Sequence, residues 1–249
     1  MSKTVFIALP SRGVHVTGAL PALVACSDRK RGYTVIQSGF VHSLLTRSFN
    51  TLWCRALNMN PRPDYFAMMH DDVCPEPYWL DTLIDELEVN KADVVSAFIA
   101  IKDHTGETST CFHKPAINTV DRISQKQADE LPETFGEEHL PEGVKLLLNT
   151  GLWVCKFKDC KLIKDGDIDV APWTERFSFG QSDNIVKGDE GYQAFATTED
   201  WEASMRWNNW GLKTMATRKI RIGHVGTFTW TYGGKDEHDP NSPLQQVGM

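Results

Sequence analysis

The 249-residue chain has no run of about 18 apolar residues, which excludes a helix spanning a bilayer. Basic surplus is missing too: 26 Lys and Arg stand against 33 Asp and Glu, for a net charge of −7. Neutralising many phosphates takes an excess of cations, which argues against a generic polyanion binder. The one basic cluster, Asp28–Arg29–Lys30–Arg31, with single residues such as Arg12, Arg47 and Arg55, allows a local basic groove but no basic face. The six cysteines (Cys26, Cys54, Cys74, Cys111, Cys155 and Cys160) contain no CxxC pair. That argues against a zinc site or a disulfide framework and for free thiols packed mostly as small hydrophobes. No GxGxxG occurs after the first strand, so a dinucleotide fingerprint is unsupported. A strand-like segment begins at Thr4 and leaves no space for a secretory leader, so a cytoplasmic protein is expected.

What is there is an ordinary globular composition, 41% hydrophobic and 24% charged, enough for one large core. Apolar runs predict strands at 4–9, 33–37, 65–69 and 93–100. Helical spacing predicts helices over 17–27, 40–57 and 78–90. This alternation predicts an α/β fold with a mostly parallel sheet flanked by helices. Residues 102–143 are polar with few periodic apolar positions and are expected as a loop-rich insertion; a second irregular stretch covers 164–197. Between them, strands are expected at 145–148 and 152–157. A helix over 199–210, stopped by Gly211, precedes a strand at 213–215 or 219–222. There is no internal repeat and no linker to a second domain. The tail after Tyr232 is rich in Gly, Asp, Pro and Asn.

The most informative segment is Tyr65–Phe66–Ala67–Met68–Met69–His70–Asp71–Asp72, an apolar strand ending in two adjacent carboxylates. Open α/β sheets bind ligands at such strand ends. Neighbouring carboxylates repel unless a cation intervenes, which suits Mg²⁺ or Mn²⁺ completed by substrate phosphates. The competing reading is that Asp71 and Asp72 only cap the following helix, and His70 is either a ligand or a solvated turn residue. Thr198–Glu199–Asp200 opens the late helix, either as a cap with acidic residues at the positive helix end or as a general base. His224 lies between Gly223 and Gly226 after a strand, where an imidazole could ligate a metal. Pro10–Ser11–Arg12 follows the first strand and could meet a nucleotide. Arg47 and Asn50, three apart on a helix, could contact a phosphate or serve structure alone. Aromatic residues crowd the second half of the chain: Trp153, Trp173, Trp201, Trp207, Trp210, Phe228, Trp230 and Tyr232. They could stack on sugars or bases, or simply form core.

In chain order, Pro10–Ser11–Arg12, Arg47 with Asn50, His70–Asp71–Asp72, Asn149–Thr150–Gly151–Leu152, Glu199–Asp200 and Gly223–His224–Val225–Gly226 resemble a GT-A fold glycosyltransferase of the family 2-like group. The resemblance covers roughly residues 3–100 and 145–226. It implies one catalytic domain over 1–232, with a nucleotide-sugar half near 1–100, an acceptor half near 101–232, and a tail at 233–249. It further implies Mn²⁺ or Mg²⁺ held by Asp72, with Asp71 and His224, against the diphosphate of a nucleotide-sugar, a UDP-sugar first. Pro10, Ser11, Arg12, Arg47, Asn50, His70 and Asp71 would lie by the donor, and Asp200, with Glu199 beside it, would be the base. The acceptor would be a glycan, a protein or a modified nucleic-acid base. His70 stands where the family usually has Asp. Two rivals remain: a nucleotidyltransferase on a related sheet, for which Pro10–Ser11–Arg12–Gly13 is a poor first loop, and a non-catalytic nucleotide- or glycan-binding module.

Overall fold

The computed structural model describes residues 2–12, 32–103, 105–115, 119–165, 168–188, 191–226 and 229–232. The expected helix over 17–27, the basic cluster at 28–31 and the tail from 233 lie outside these residues. The first half contains β1 (Thr4–Ser11), β2 (Thr34–Val41), α1 (Leu45–Leu57), β3 (Tyr65–Met69), β4 (Val73–Pro75), α2 (Trp79–Val89) and β5 (Val94–Ala97). Next come β6 (Glu107–Lys114), β7 (Thr119–Ser124), α3 (Gln125–Asp129), β8 (Thr134–Gly136), β9 (Lys145–Leu147) and β10 (Leu152–Lys156). The remainder is β11 (Leu162–Asp165), β12 (Ile168–Pro172), α4 (Trp173–Arg176), β13 (Ser182–Gly188), β14 (Gly191–Thr197), α5 (Glu199–Asn209), β15 (Thr214–Thr217), β16 (Ile222–Val225) and β17 (Thr229–Tyr232).

The centre is a seven-stranded sheet ordered β2-β1-β3-β10-β5-β15-β8. β2, β1, β3, β5 and β15 run one way, while β10 and β8 are reversed. The sheet is thus large and mostly parallel within a mixed α/β fold, Rossmann-like but with sparse helical cover. Every residue of β3 is buried, and alternation sends Phe66 and Met68 to one core and Tyr65, Ala67 and Met69 to the other. On the first face α1 buries Ser48, Phe49, Leu52, Trp53 and Ala56, the stripe expected of a helix lying on a sheet. Ala203 and Trp207 of α5 join it there. On the other face α2 buries Trp79, Leu80, Leu83, Ile84 and Leu87.

Several sequence expectations need correction. The helix expected from Phe40 starts at Leu45, because β2 continues through Val41 alongside β1, residue for residue from Thr4↔Thr34 to Ser11↔Val41. The ladder overrides the weak strand preference of Ser38–Gly39. Residues 102–143 are not chiefly loop: β6 sits between β7 and β9 in a second sheet, α3 carries a Ser124–Gln127 capping box, and β8 extends the central sheet. The alternation was concealed because polar Thr108 and Thr110 take buried positions of β6. Residues 164–197 likewise hold two antiparallel pairs, β11–β12 and β13–β14. Ile185 and Tyr192 of the second pair are 78% and 75% exposed, so that hairpin has little buried pattern to read. Lys145–Leu147 forms a strand as expected, but in the second sheet. Of the two late strand candidates, 213–215 is met by β15 in the central sheet, whereas 219–221 is not strand and the next strand, β16, begins only at Ile222, in a three-stranded sheet with β4 and β17.

The five cysteines within the described residues are free; Cys111 and Cys155 are buried, while Cys54 is exposed. The aromatics build core more than site: Trp53, Phe66, Trp153, Phe157, Trp173, Phe177, Phe179 and Trp207 form one contiguous cluster. Among the described residues, no helix is long and apolar enough to cross a membrane.

Candidate active site

At the end of β3 the chain turns through His70, Asp71 and Asp72 before entering β4. The turn is fixed at both ends: the His70 N–H donates to the Gly151 carbonyl at 2.8 Å and the Val73 N–H to the His70 carbonyl at 3.2 Å. The helix reading of the acid pair fails, because α2 is entered through Tyr78. β4 pairs antiparallel with β16, setting His224 opposite Val73, and the Val225 N–H donates to the Asp72 carbonyl at 2.8 Å. A residue about 150 positions downstream is thereby placed beside the acid pair.

The geometry around His224 is chemically specific. Its Nδ1 lies 2.7 Å from the Ala100 carbonyl, which can only accept, so Nδ1 carries the hydrogen. The other ring nitrogen, Nε2, faces Asp72, whose Oδ2 is 3.5 Å away. Lys102 donates to the same Oδ2, and Asp72 Oδ1 is buried with no hydrogen-bond partner among the described residues. Burial opposes ionisation of Asp72, but hydrogen bonds from His224 and Lys102 outweigh it and hold the carboxyl well below its ordinary range. His70, packed against the Phe49 ring at 5.1 Å, is pushed down to about 4 by burial, partly offset by Asp72.

Across the cavity α5 begins at Glu199 and Asp200. Thr198 occupies the N-cap, but its side chain makes no capping bond. The buried Thr150 hydroxyl donates to Asp200 Oδ1. Thr150 is held in the turn Asn149–Thr150–Gly151, where the Asn149 amide donates to Ala97 O at 2.6 Å and accepts from the Gly151 N–H at 3.1 Å. Burial, reinforced by the neighbouring Glu199 charge, raises Asp200 from 3.8 to about 7, while the Thr150 hydrogen bonds and Arg122 pull the other way. A carboxyl so placed exchanges a proton near neutrality.

These groups share one cavity of about 690 Å³, lined among others by Pro10, Arg12, His70, Asp71, Asp72, Glu199, Asp200 and His224. Three residues singled out in the sequence do not line it. Ser11 is buried, its carbonyl accepting from His42 N–H at 3.0 Å. Arg47 is exposed on α1. Asn50 is spent on structure: its amide donates to Phe179 O at 2.9 Å and accepts from Phe179 N–H at 2.8 Å. No tryptophan lines the cavity among the described residues. Sequence reasoning overlooked Lys102, a single lysine in a polar stretch with no signal of its own. It also gave Thr150 no role; only its place in the Asn149–Thr150–Gly151 turn hinted at one.

Asp72 and His224 are the residues that could hold a divalent ion. A carboxylate and an imidazole whose other nitrogen is committed to a carbonyl form a common metal-ligand pair with its supporting contact. Among the described residues no group of three or more His, Cys, Asp or Glu side chains is arranged to hold an ion. The pair would therefore need ligand oxygens to complete a coordination shell.

No known family profile matches the chain, and no curated protein matches it. Among solved structures, A197 from STIV shares 13% identity with a TM-score of 0.53, covering 94% of this chain and 95% of A197. HddC from Yersinia pseudotuberculosis aligns over 82% of this chain and 79% of its own at 9% identity, with a TM-score of 0.25 too low to carry an argument. What the chain has in common with A197 is the overall fold.

Proposed function

We propose that the protein is a metal-dependent glycosyltransferase that moves a sugar from a nucleotide-sugar, a UDP-sugar first, to an acceptor hydroxyl. The observation that carries this reading is the pairing of Asp72 with the tautomer-fixed His224 in the same cavity as the proton-exchanging Asp200. Asp72 and His224, with Asp71 adjacent, would hold Mn²⁺ or Mg²⁺, which when bound supplies positive charge to offset that of the departing diphosphate.

This chain's own residues account for the rest. Arg12 and Lys102 line the cavity and add cationic charge for an anionic donor. Asp200 accepts the proton of the acceptor hydroxyl, a contribution on the order of 10²–10⁴-fold. Thr150 orients that carboxylate through its hydroxyl on Oδ1. Direct displacement by a deprotonated hydroxyl inverts the sugar carbon. Acceptors with free hydroxyls include glycans, proteins and modified nucleic-acid bases.

A thermal-shift screen of UDP-, GDP-, CMP- and dTDP-sugars with Mn²⁺ identifies the donor, and release of the nucleotide from it (UDP, GDP, CMP or dTDP) then measures turnover. Loss of turnover without Mn²⁺ and in Asp72→Ala is expected. Full turnover in Asp72→Ala refutes the reading.

A further inference from the structure

We infer that Lys102 is a tethered cation competing with the divalent ion for Asp72, and that a diphosphate ligand ends the competition by drawing the ammonium to itself. The inference rests on the metal–diphosphate reading above and adds a coupling device to it. Its basis is the crowding at one atom. Asp72 Oδ2 accepts from the Lys102 ammonium and lies 3.5 Å from His224 Nε2, so the place between carboxylate and imidazole is bordered by a positive charge. An ion bound to both donors would sit within a few ångströms of the ammonium, and two cations at that separation repel strongly in a half-buried site.

The chain around Lys102 confines any exchange to its side chain. The Ile101 N–H donates to Glu107 O at 3.1 Å, Ala100 bridges to Thr108, and the Ala100 carbonyl accepts from His224. The backbone that presents the lysine is therefore the backbone that orients His224. The four-carbon stem can still rotate: the side chains of Lys102 and Asp72 are 32% and 24% exposed, so the ion pair is open to solvent. Lys102 lines the cavity together with Arg12, where a diphosphate would be a stronger partner than a carboxylate shared with an ion. Ion alone then meets an occupied carboxylate, whereas ion with diphosphate meets a vacated one. By linkage, each must tighten the binding of the other to the same degree.

The experiment is Mn²⁺ binding followed by electron paramagnetic resonance and calorimetry, with and without UDP, in wild type, Lys102→Met, Lys102→Arg and Asp72→Asn. Methionine keeps most of the stem and removes the charge. Mn²⁺ alone should bind roughly fivefold more tightly to Lys102→Met than to wild type, the size expected for a half-exposed ion pair. The gain in Mn²⁺ affinity on adding UDP should shrink in Lys102→Met and persist in Lys102→Arg. Unchanged Mn²⁺ affinity in Lys102→Met, with Asp72-dependent binding in wild type, overturns the coupling while leaving the metal site standing. If neither wild type nor Lys102→Met binds Mn²⁺ in an Asp72-dependent way, the metal reading falls and the coupling with it.

Discussion

Replacing Asp200 by Asn should make the protein more stable at alkaline pH while removing most of its activity. The carboxyl is raised from 3.8 to about 7 by burial and by Glu199. Because its folded pKa lies above its unfolded one, the folded state holds the proton more tightly. Wild-type stability is therefore unaffected below the unfolded pKa and falls as pH climbs from about 4 to about 7. At about 1.4 kcal/mol per tenfold in proton affinity, the full cost above pH 7 is on the order of 4 kcal/mol. Solvent reaching this half-buried residue trims it to roughly 2 kcal/mol. Asparagine has the same shape, cannot ionise, and still accepts the Thr150 hydroxyl through its carbonyl oxygen. The variant should unfold about 4–8 °C above wild type at pH 8 and within about 2 °C of it at pH 4. Thermal unfolding across pH 4–9 reads this directly. In parallel, nucleotide-sugar turnover should drop about 10²–10⁴-fold. A melting difference independent of pH, or a variant less stable than wild type at pH 8, would refute the claim that the fold holds this carboxyl in its neutral form.

Turnover in wild type should rise with pH through about 7 as Asp200 ionises, and Thr150→Val should move that limb to higher pH by removing a hydrogen bond that favours the carboxylate; a pH–rate profile checks both. Asp72→Asn should weaken Mn²⁺ binding roughly 100-fold or more and, because the fold holds this carboxyl below its ordinary range, lower the melting temperature at neutral pH more than at acid pH, as calorimetry and thermal unfolding would report. Asn50→Ala removes both bonds to the Phe179 backbone and should cost about 1–3 kcal/mol in denaturant unfolding, with donor affinity unchanged.

The central strands were legible because β1, β3 and β5 are continuous apolar runs, and buried strands must be. The acid pair was legible for a related reason, since two carboxylates at the end of such a run require explanation. The partners were harder to assign. His224 was a candidate because glycines flank it, but only the β4–β16 register sets it beside Asp72. Asn50 is the opposite case, a polar residue on a helix face whose amide is consumed by a backbone 129 residues away. Lys102 carried no local signal and Thr150 only its place in the Asn149–Thr150–Gly151 turn, because the contacts of both with Asp72 and Asp200 are tertiary. The second sheet was hidden by threonines that bury their hydroxyls against backbone, as when Thr108 donates to Ile123 O at 2.8 Å.

The pairing of β16 with β4 separates building the scaffold from completing the chemistry. The last strand of the seven-stranded sheet ends at Thr217, seven residues before the imidazole that faces Asp72. During synthesis every strand of that sheet leaves the ribosome before His224 does, so the main sheet and Asp72 are made before the imidazole that comes to face that carboxylate. A stop codon or proteolytic cut just after Ile220 would leave every strand of the main sheet present, yet strip the imidazole from the site.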